Sequence, residues 1–307
     1  MTSSGVLPES VVGPLRAALP RAAVREAARI GEGYGSVAYL VPDSTGNWSV
    51  RVPREVADWA IPSLEREARL LPALEQYIDT AVTPREAQLV RGADGTLVAM
   101  VHRYVPGRQL STRSVRGRRR DRLAEQIGAF FSQLHTFPLD QARSLGVPEV
   151  DLWDDHYRPL IEQAMPYLGN SAQEWLQRQA DEFVAGGGTQ SAPRVLIHGD
   201  ISGDHLLLDG DSGLGGVIDF GDAMIADPAL DLAGLLNDMA EPFLGQVLEH
   251  YTANIDDDAL RRVQFYIQVA AIHQVIYGDR VRKGQERTKG IRRLAAKAAS
   301  ELRYSRS

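Results

Sequence analysis

Residues 195–236 read VLIHGDISGDHLLLDGDSGLGGVIDFGDAMIADPALDLAGLL, and this stretch decides the fold. The apolar runs at 195–197, 206–208 and 217–218 predict three short strands, because each is bounded by a polar or glycine-rich turn. Asp227 and the proline that follows it predict the N-cap and first position of a helix. Short strands separated by tight turns place polar residues at loop tips and strand ends, where several of them can converge.

Three polar residues of this stretch fall at such strand ends. His205 follows Asp200 by five residues, and Asp219 comes fourteen residues later. This order matches the phosphoryl-transfer template of kinases: an H-x-D loop, a metal ligand, and an aspartate after the next strand. An aspartate must accept or orient the proton of the acceptor hydroxyl, and oxygen or imidazole ligands must hold Mg²⁺ across the phosphates. Turns also collect Asp and Gly for local reasons, but the shared order and spacing favour a site.

The segments HGDISGDHLLLD and GGVIDFGDAMIADPALDLAGLL resemble the antibiotic phosphotransferases, kinase-like enzymes that inactivate aminoglycosides and macrolides. They are most similar to the branch that modifies the 2''-hydroxyl of aminoglycosides and to its macrolide-modifying relatives. Most of the family carries Asn at the second metal-ligand position, whereas His205 matches this branch. The resemblance covers nearly the whole chain. It implies an α+β, protein-kinase-like fold of two lobes, with a small antiparallel-sheet nucleotide-binding lobe at 1–105 and a mainly helical lobe at 106–307.

The composition narrows the class of protein. The 307 residues are 44% hydrophobic and 24% charged, which are globular values. A net charge of -6 provides no general basic field, so we expect no nucleic-acid partner. The absence of cysteine excludes disulfides, thiolate catalysis and a cysteine zinc site. No signal-like leader and no run of membrane-span length are present, so we expect a cytoplasmic protein without a membrane partner. We also expect a monomer.

A basic run occupies 111–122. It is short and lacks interleaved aromatic residues, so we interpret it as a solvated loop and helix start, not as a nucleic-acid surface. Its basic residues are Arg113, Arg116, Arg118, Arg119, Arg120 and Arg122.

A glycine cluster follows a leading amphipathic helix predicted at 8–29. Gly31, Gly33 and Gly35, followed by Ser36 and alternating apolar residues, predict a strand-turn-strand flap whose backbone amides face phosphate oxygens. The spacing is one residue tighter than G-x-G-x-x-G of protein kinases. Taken alone, the motif also fits an ordinary hairpin turn.

The strand at 48–53 and the helix after it predict an ion pair. Arg51 stands where the kinase template has its lysine, although an exposed strand arginine is the default interpretation. On the following helix Glu67 projects into the apolar stripe, while Glu65 points away from it. An inward carboxylate needs a cation, and Arg51 is the natural candidate. The pair would bind the α- and β-phosphates. The planar guanidinium of Arg51 would take the place of the compact ammonium charge of a lysine.

Other assignments follow from the resemblance. The hinge that hydrogen-bonds the purine runs from Arg103 to Val105, and backbone recognition leaves the choice of ATP or GTP open. In the family the acid at Asp231 braces the catalytic loop, so we assign it a supporting role. His198 is expected to pack against the Asp219 turn without proton chemistry. We interpret His135, at a helix end, as satisfied by nearby carbonyls.

Acidic residues beyond the central stretch suggest a pocket for an amino sugar, or equally a hydrated helix end. The candidates are Asp222, Asp238 and Glu241, with Asp219, Asp227 and Asn237 adding to the acidic character. Related enzymes place substrate contacts on the segment that here forms predicted helices at 260–278 and 290–302. Its run 270–277 is neutral and partly apolar. Tyr277 remains a candidate contact, and a macrolide remains an alternative substrate.

These assignments predict a kinase that transfers the γ-phosphoryl group of ATP or GTP, with Mg²⁺, to a hydroxyl of an aminoglycoside. A macrolide 2'-phosphotransferase and a small-metabolite kinase of the choline or homoserine type are the alternatives with the same machinery. A non-catalytic nucleotide-binding protein is a further alternative, because Arg51 and the tight glycine turn depart from the kinase pattern.

Overall fold

The computed structural model describes residues 6–111, 117–210, 213–239 and 241–304, and it begins with a five-stranded antiparallel sheet. The strands are β1 (Ala28–Glu32), β2 (Ser36–Val41), β3 (Trp48–Pro53), β4 (Gln88–Arg91) and β5 (Leu97–Arg103). Their spatial order is β1-β2-β3-β5-β4, so β3 lies at the centre of the sheet. The predicted strand at 48–53 is confirmed at the same residues.

Most of the remaining chain is helical, which confirms the predicted combination of an antiparallel-sheet lobe with a mainly helical lobe. Two helices belong to the sheet-containing part, α1 (Glu9–Ala18) and α2 (Ala60–Tyr77). The others are α3 (Arg118–His135), α4 (Leu139–Ser144), α5 (Arg158–Ala164), α6 (Asn170–Ala185), α7 (Ala229–Asp238), α8 (Glu241–Leu248), α9 (Ala259–Val269), α10 (Ala271–Arg280) and α11 (Gly284–Tyr304).

The leading helix is shorter than the sequence predicts. It was expected over 8–29 but ends at Ala18, because Pro20 disfavours helical geometry at the residue before it. Leu19 is accordingly outside the helix, with φ -125° and ψ 71°. Val11 and Leu15 are nevertheless buried against the sheet, in a core of their own. The helix therefore covers one face of the sheet and leaves the other face for α2.

Short strands frame the segment that carries the candidate site. They are β6 (Arg108–Gln109), β7 (Val195–Ile197), β8 (Leu206–Leu208), β9 (Leu214–Val217) and β10 (Met224–Ala226). The first two predicted strands are confirmed as β7 and β8, while β9 begins before the predicted 217–218. β10 pairs with β7, and β8 lies between β6 and β9. The turns that follow β7 and β9 are thereby fixed at neighbouring positions.

The helix predicted at 260–278 is two helices, α9 and α10, that meet at Ala270. The Ala270 carbonyl accepts hydrogen bonds from the backbone N–H of His273, at 3.2 Å, and from its ring Nδ1, at 3.1 Å. A side chain that inserts into the helical hydrogen-bond ladder interrupts it. The break turns α10 into a separate helix that packs against α11.

The predicted start of α7 is tied to α9 by a buried ionic cluster. The Asp227 carboxylate binds Arg262 Nε at 2.6 Å and Nη2 at 3.1 Å, and accepts the Tyr266 hydroxyl at 2.8 Å. Asp227 also accepts the N–H of Ala229 at 3.0 Å, so it caps a helix that begins one residue later than expected. Asp256 completes the cluster on the other side of Arg262. Both Asp227 and Arg262 are fully buried.

The described residues include only part of the basic run at 111–122. Arg113 and Arg116 of the basic run lie outside the described residues, and Arg118 begins α3 at an exposed position. Within the described ranges, no helix is both long and apolar enough to cross a membrane.

The buried cluster predicts a specific loss of stability. Arg262→Leu should lower the free energy of unfolding by about 3–5 kcal/mol, because Asp227 would keep a buried charge without a cation. Urea denaturation monitored by circular dichroism measures this loss. Asp256→Asn is the control, since Asp256 is 23% exposed and its removal should cost about 1 kcal/mol. Equal losses in the two variants would show that burial of Asp227 is not the cause.

Candidate active site

The three residues predicted to act together do converge. Asp200 lies in the loop between β7 and β8, His205 immediately precedes β8, and Asp219 follows β9. His205 Nδ1 is 3.6 Å from Asp200 Oδ2, and His205 Nε2 is 3.7 Å from Asp219 Oδ2. The ring Nδ1 also lies 2.6 Å from the Asp200 carbonyl oxygen, which assigns the proton to Nδ1. Nε2, the other ring nitrogen, faces the Asp219 carboxylate.

The predicted catalytic loop, defined as residues 198–203, is held through its backbone. Asp231 Oδ2 accepts the N–H of His198 at 2.8 Å, and Oδ1 accepts the N–H of Gly199 at 2.9 Å. The His198 ring donates from Nε2 to the Ile218 carbonyl at 2.9 Å, and its centre lies 4.7 Å from that of the tilted Phe220 ring. His198 therefore packs against the segment that carries Asp219, as predicted, and its contacts are structural.

His135 is structural, but its partners differ from those expected. Its Nε2 lies 3.1 Å from Asp231 Oδ2 and its Nδ1 lies 2.9 Å from the Tyr251 hydroxyl. The sequence suggested helix-end carbonyls, and it could not identify a carboxylate 96 residues away. His135 thus supports the same acid that holds the catalytic loop.

The predicted ion pair between β3 and α2 is confirmed. Arg51 Nη1 binds Glu67 Oε2 at 2.5 Å, and Arg51 Nη2 binds Asp219 Oδ1 at 2.7 Å. Glu67 is fully buried, and its second oxygen accepts the N–H of Phe220 at 3.1 Å. Arg51 Nε donates to the Ser36 hydroxyl at 3.4 Å. One guanidinium therefore joins the sheet, α2, the flap and the turn after β9.

Asp219 is held in an unusual backbone conformation. Its φ of 70° and ψ of 61° lie in the left-handed region, where aspartate is tolerated better than most residues. Such outliers persist only where surrounding contacts fix them. Here Arg51 binds the side chain, and Glu67 binds the amide of the next residue. The conformation directs the Asp219 carboxylate to the cation on one side and to His205 on the other.

The two aspartates have opposite proton affinities because their neighbours differ. Burial in the cleft raises the pKa of Asp200 to about 7, with Asp222 and Asp219 adding to the effect. Burial also acts to raise the pKa of Asp219, but Arg51 and His205 outweigh it and the pKa falls to about 2. Asp200 is thus suited to accept a proton, and Asp219 to remain ionised. The Asp200 side chain is 55% exposed, so an acceptor hydroxyl can approach it.

The donors in this cleft fit Mg²⁺. Asp219 Oδ2 and His205 Nε2 face each other across 3.7 Å. Within the described ranges, no group of three or more His, Cys, Asp or Glu side chains is arranged to hold a metal ion by itself. An incomplete protein ligand set is typical of Mg²⁺ that shares its coordination with substrate phosphates and water.

The flap, residues 31–36, forms the predicted strand-turn-strand. Gly33 donates its N–H to the Ser36 carbonyl at 2.9 Å, which closes the turn between β1 and β2. Gly31 lies at a bulge in the pairing of these strands. A Cβ at Gly35 would contact the Trp59 ring nitrogen at 3.5 Å. The glycines thus permit a tight turn beside Trp59 and Ser36, while their contacts with phosphate remain a prediction.

The structure shows an aromatic clasp, defined as Tyr34, Trp59 and Tyr277, that the sequence did not reveal. The Tyr277 ring of α10 lies 5.8 Å from the Tyr34 ring and 5.5 Å from the Trp59 ring. Beside it, Lys283 Nζ pairs with Glu32 Oε1 at 3.1 Å. No local motif links residues so far apart in the chain. The clasp joins the flap to α10, which lies far from it in the sequence.

The clasp lies near the catalytic aspartate. Burial raises the pKa of Tyr34 and Tyr277, and the charge of Asp200 contributes to both shifts. Tyr277 remains a predicted substrate contact, with Tyr34 as a partner that sequence reasoning missed.

The backbone of the predicted hinge is partly occupied, because the Arg103 carbonyl lies 2.9 Å from the His102 ring Nδ1. Tyr104 donates its N–H to the Asn47 carbonyl beside β3, at 2.9 Å, and Arg103 donates to the Arg85 carbonyl at 2.8 Å. Backbone groups alternate between the two edges of a strand, so Arg103 and Val105 face away from β3. Within the described residues the Val105 N–H has no backbone acceptor. Purine recognition by Arg103 and Val105 remains a prediction.

The acids considered for a substrate pocket lie in different environments. Asp222 and Glu241 are exposed, so both can face an acceptor. Asp227 cannot contribute to an open pocket, which corrects that suggestion, because it is fully buried on Arg262. Asp238 accepts a hydrogen bond from the Gly203 N–H at 2.6 Å. A substrate role for Asp222, Asp238 and Glu241 remains a prediction.

Comparison with known proteins gives a consistent result. Residues 26–266 match the family described as "Phosphotransferase enzyme family". Viomycin phosphotransferase of Streptomyces vinaceus is 24% identical over 174 residues, and this match covers 55% of the present chain. The chain spans 59% of the length of that curated relative.

Solved structures match over more of the chain. The GDP and kanamycin complex of APH(2")-IIIa has a TM-score of 0.82 at 27% identity, covering 94% of this chain and 98% of that one. The apoenzyme of macrolide 2'-phosphotransferase MphH from Brachybacterium faecium has a TM-score of 0.70 over 94% and 98% of the two chains. At 18% identity the latter likeness concerns the fold alone.

The Arg51–Glu67 pair predicts a loss of nucleotide affinity on substitution. In Glu67→Gln one carboxylate oxygen becomes an amide N–H₂, which cannot accept a hydrogen bond, and the oxygen that remains is a weaker acceptor. Either Arg51 or the Phe220 N–H therefore loses its partner, and Arg51 is held less firmly for phosphate binding. We expect a roughly 10- to 100-fold weaker Kd for ATP or GTP by calorimetry. Glu65→Gln on the same helix is the matched control, because Glu65 pairs with Arg91 on the partly exposed face. Unchanged affinity in Glu67→Gln would contradict the assignment.

Proposed function

Because the chain belongs to the phosphotransferase enzyme family, we propose that it transfers the γ-phosphoryl group of ATP or GTP to a hydroxyl of an aminoglycoside. The observation that carries this proposal is the convergence of Asp200, His205 and Asp219 beside the Arg51–Glu67 pair. In this proposal residues 1–105 form the nucleotide-binding lobe, and residues 106–307 carry the catalytic loop, the metal site and the substrate pocket.

The reaction we propose depends on Asp200. Its carboxylate orients the acceptor hydroxyl and takes its proton as the oxygen attacks the γ-phosphorus. Partial burial and the neighbouring carboxylates Asp222 and Asp219 raise the pKa of Asp200, which suits that role. The backbone contacts of the catalytic loop fix its position, so the rate comes from positioning and electrostatics, without a covalent enzyme intermediate.

A second group of residues binds the nucleoside triphosphate, which is the phosphoryl donor. Arg51, held by Glu67, binds the α- and β-phosphates, and the flap amides with Ser36 close over them. His205 and Asp219 hold Mg²⁺. When bound, this ion neutralises charge on the β- and γ-phosphates and fixes their orientation. The backbone of Arg103 and Val105 binds the purine base, which permits either ATP or GTP.

An aminoglycoside is favoured by charge. Asp200 and Asp222 give the mouth of the cleft exposed carboxylates that suit ammonium groups. The solved APH(2")-IIIa relative, 27% identical, binds GDP and kanamycin. Viomycin, named in the curated relative, belongs in the same test.

A macrolide is the second candidate, and the aromatic clasp favours it. Tyr34, Trp59 and Tyr277 offer ring faces, and the 270–277 segment carries no acid. Apolar ring faces suit a large, mostly apolar acceptor better than a polycation.

Direct assay distinguishes these candidates. The purified protein is incubated with Mg²⁺ and ATP or GTP against kanamycin, viomycin, a macrolide, choline and homoserine, and the mass of each acceptor is measured. We expect one added phosphate on the aminoglycoside. Asp200→Asn should lower kcat by at least about 100-fold, since the proton acceptor is lost. Asp204→Asn, an exposed aspartate of the same segment, is the matched control and should retain activity.

The remaining outcomes separate the alternatives. Phosphorylation of the macrolide alone would assign the clasp as the acceptor surface. Phosphorylation of choline or homoserine alone would indicate a metabolite kinase. Nucleotide binding without phosphorylation of any acceptor, unchanged in Asp200→Asn, would indicate a non-catalytic nucleotide-binding protein and overturn the proposal.

A further inference from the structure

One face of α7 carries three residues that contact the catalytic loop. Asp231, Gly234 and Asp238 follow one another at spacings of three and four residues, which places them on the same side of the helix. Asp231 binds the start of the loop, at the amides of His198 and Gly199. The other two residues lie one and two turns further along and contact later parts of the loop.

Asp238 binds the opposite end of the loop. Its Oδ2 accepts the Gly203 N–H at 2.6 Å, and its Oδ1 accepts the Asn237 side-chain amide at 3.2 Å. The Gly203 carbonyl accepts the Leu110 N–H at 2.9 Å. A Cβ on Gly203 would overlap the Leu110 carbonyl. Gly203 is therefore enclosed, with its N–H on a carboxylate and its carbonyl on the chain near β6.

Gly234 brings the middle of the loop onto the helix. A Cβ at this position would overlap the carbonyl oxygen of Ile201, so only glycine permits the observed approach. Ile201 is itself buried. The loop thus lies directly on α7 between its two acidic residues.

We propose that Asp238 is a positioning residue for phosphoryl transfer, acting as the second anchor of the catalytic loop. Asp200 stands between the segment held by Asp231 and the amide held by Asp238. The two carboxylates thus hold backbone amides on both sides of Asp200. The second anchor also fixes His205, whose ring binds the Asp200 carbonyl. This inference rests on the proposed function and replaces a direct substrate contact for Asp238.

Kinetics of two substitutions test the catalytic part. Asp238→Ala should lower kcat by about 10- to 100-fold while KM for the nucleotide stays within about twofold, because Arg51 and Glu67 are unaffected. Asp238→Asn retains an acceptor oxygen and should restore kcat to within about fivefold of wild type. Glu249→Gln, which removes one exposed charge from the same part of the chain, should match wild type. A raised KM for the acceptor with unchanged kcat would indicate a substrate contact and overturn the inference.

Amide hydrogen exchange tests the anchor without requiring activity. In Asp238→Ala the Gly203 N–H should exchange at least about tenfold faster, while the Gly199 N–H, still held by Asp231, should not change. Unchanged exchange at Gly203 would overturn the inference even if the enzyme phosphorylates its acceptor normally. If the wild type phosphorylates no acceptor but Gly203 responds as expected, the proposed function fails and the anchor stands.

Discussion

The geometry of this site depends on one guanidinium. Arg51 binds Glu67 and Asp219, two carboxylates that would otherwise repel each other in a largely buried setting. Glu67 also binds the amide of Phe220, so α2 and the turn after β9 are connected twice. Because Arg51 lies on the central strand of the sheet, a shift of the sheet is transmitted directly to Asp219. A planar fork suits this double pairing, since a lysine has no fixed second donor direction.

The pKa values of Asp200 and Asp219 move in opposite directions, and the difference is electrostatic. Burial acts to raise the pKa of both carboxyls, but Arg51, in direct contact with Asp219, lowers the pKa of that residue overall. The protein thus obtains a permanent anion and a proton acceptor from the same residue type within one cleft. The hydrogen bonds that hold Asp200 come through backbone amides of its neighbours, so its carboxylate stays accessible.

Local periodicity and spacing were sufficient to predict much of this site. The helical phase of Glu67 showed that its carboxylate needs a cation, and the kinase template pointed to Arg51 as that cation. The spacing of Asp200, His205 and Asp219 predicted their convergence. Contacts between distant segments were not accessible in this way. Three contacts depend on how helices pack, and no short stretch of sequence specifies that packing. They are the Arg262 cluster at Asp227, the Gly203–Asp238 hydrogen bond and the Tyr34–Tyr277 contact. The break at Ala270 was missed because a side-chain hydrogen bond, invisible to hydrophobic periodicity, interrupts the helix.

The contact between the flap and the C-terminal helices has a consequence for how such chains evolve and can be recombined. Glu32 and Lys283, like Tyr34 and Tyr277, come from opposite ends of the sequence and meet over one opening. A chimera with the sheet of one relative and the helices of another would keep both hydrophobic cores, but the residues that form these two contacts would no longer match. A change on one side of this contact therefore has to be matched by a change on the other.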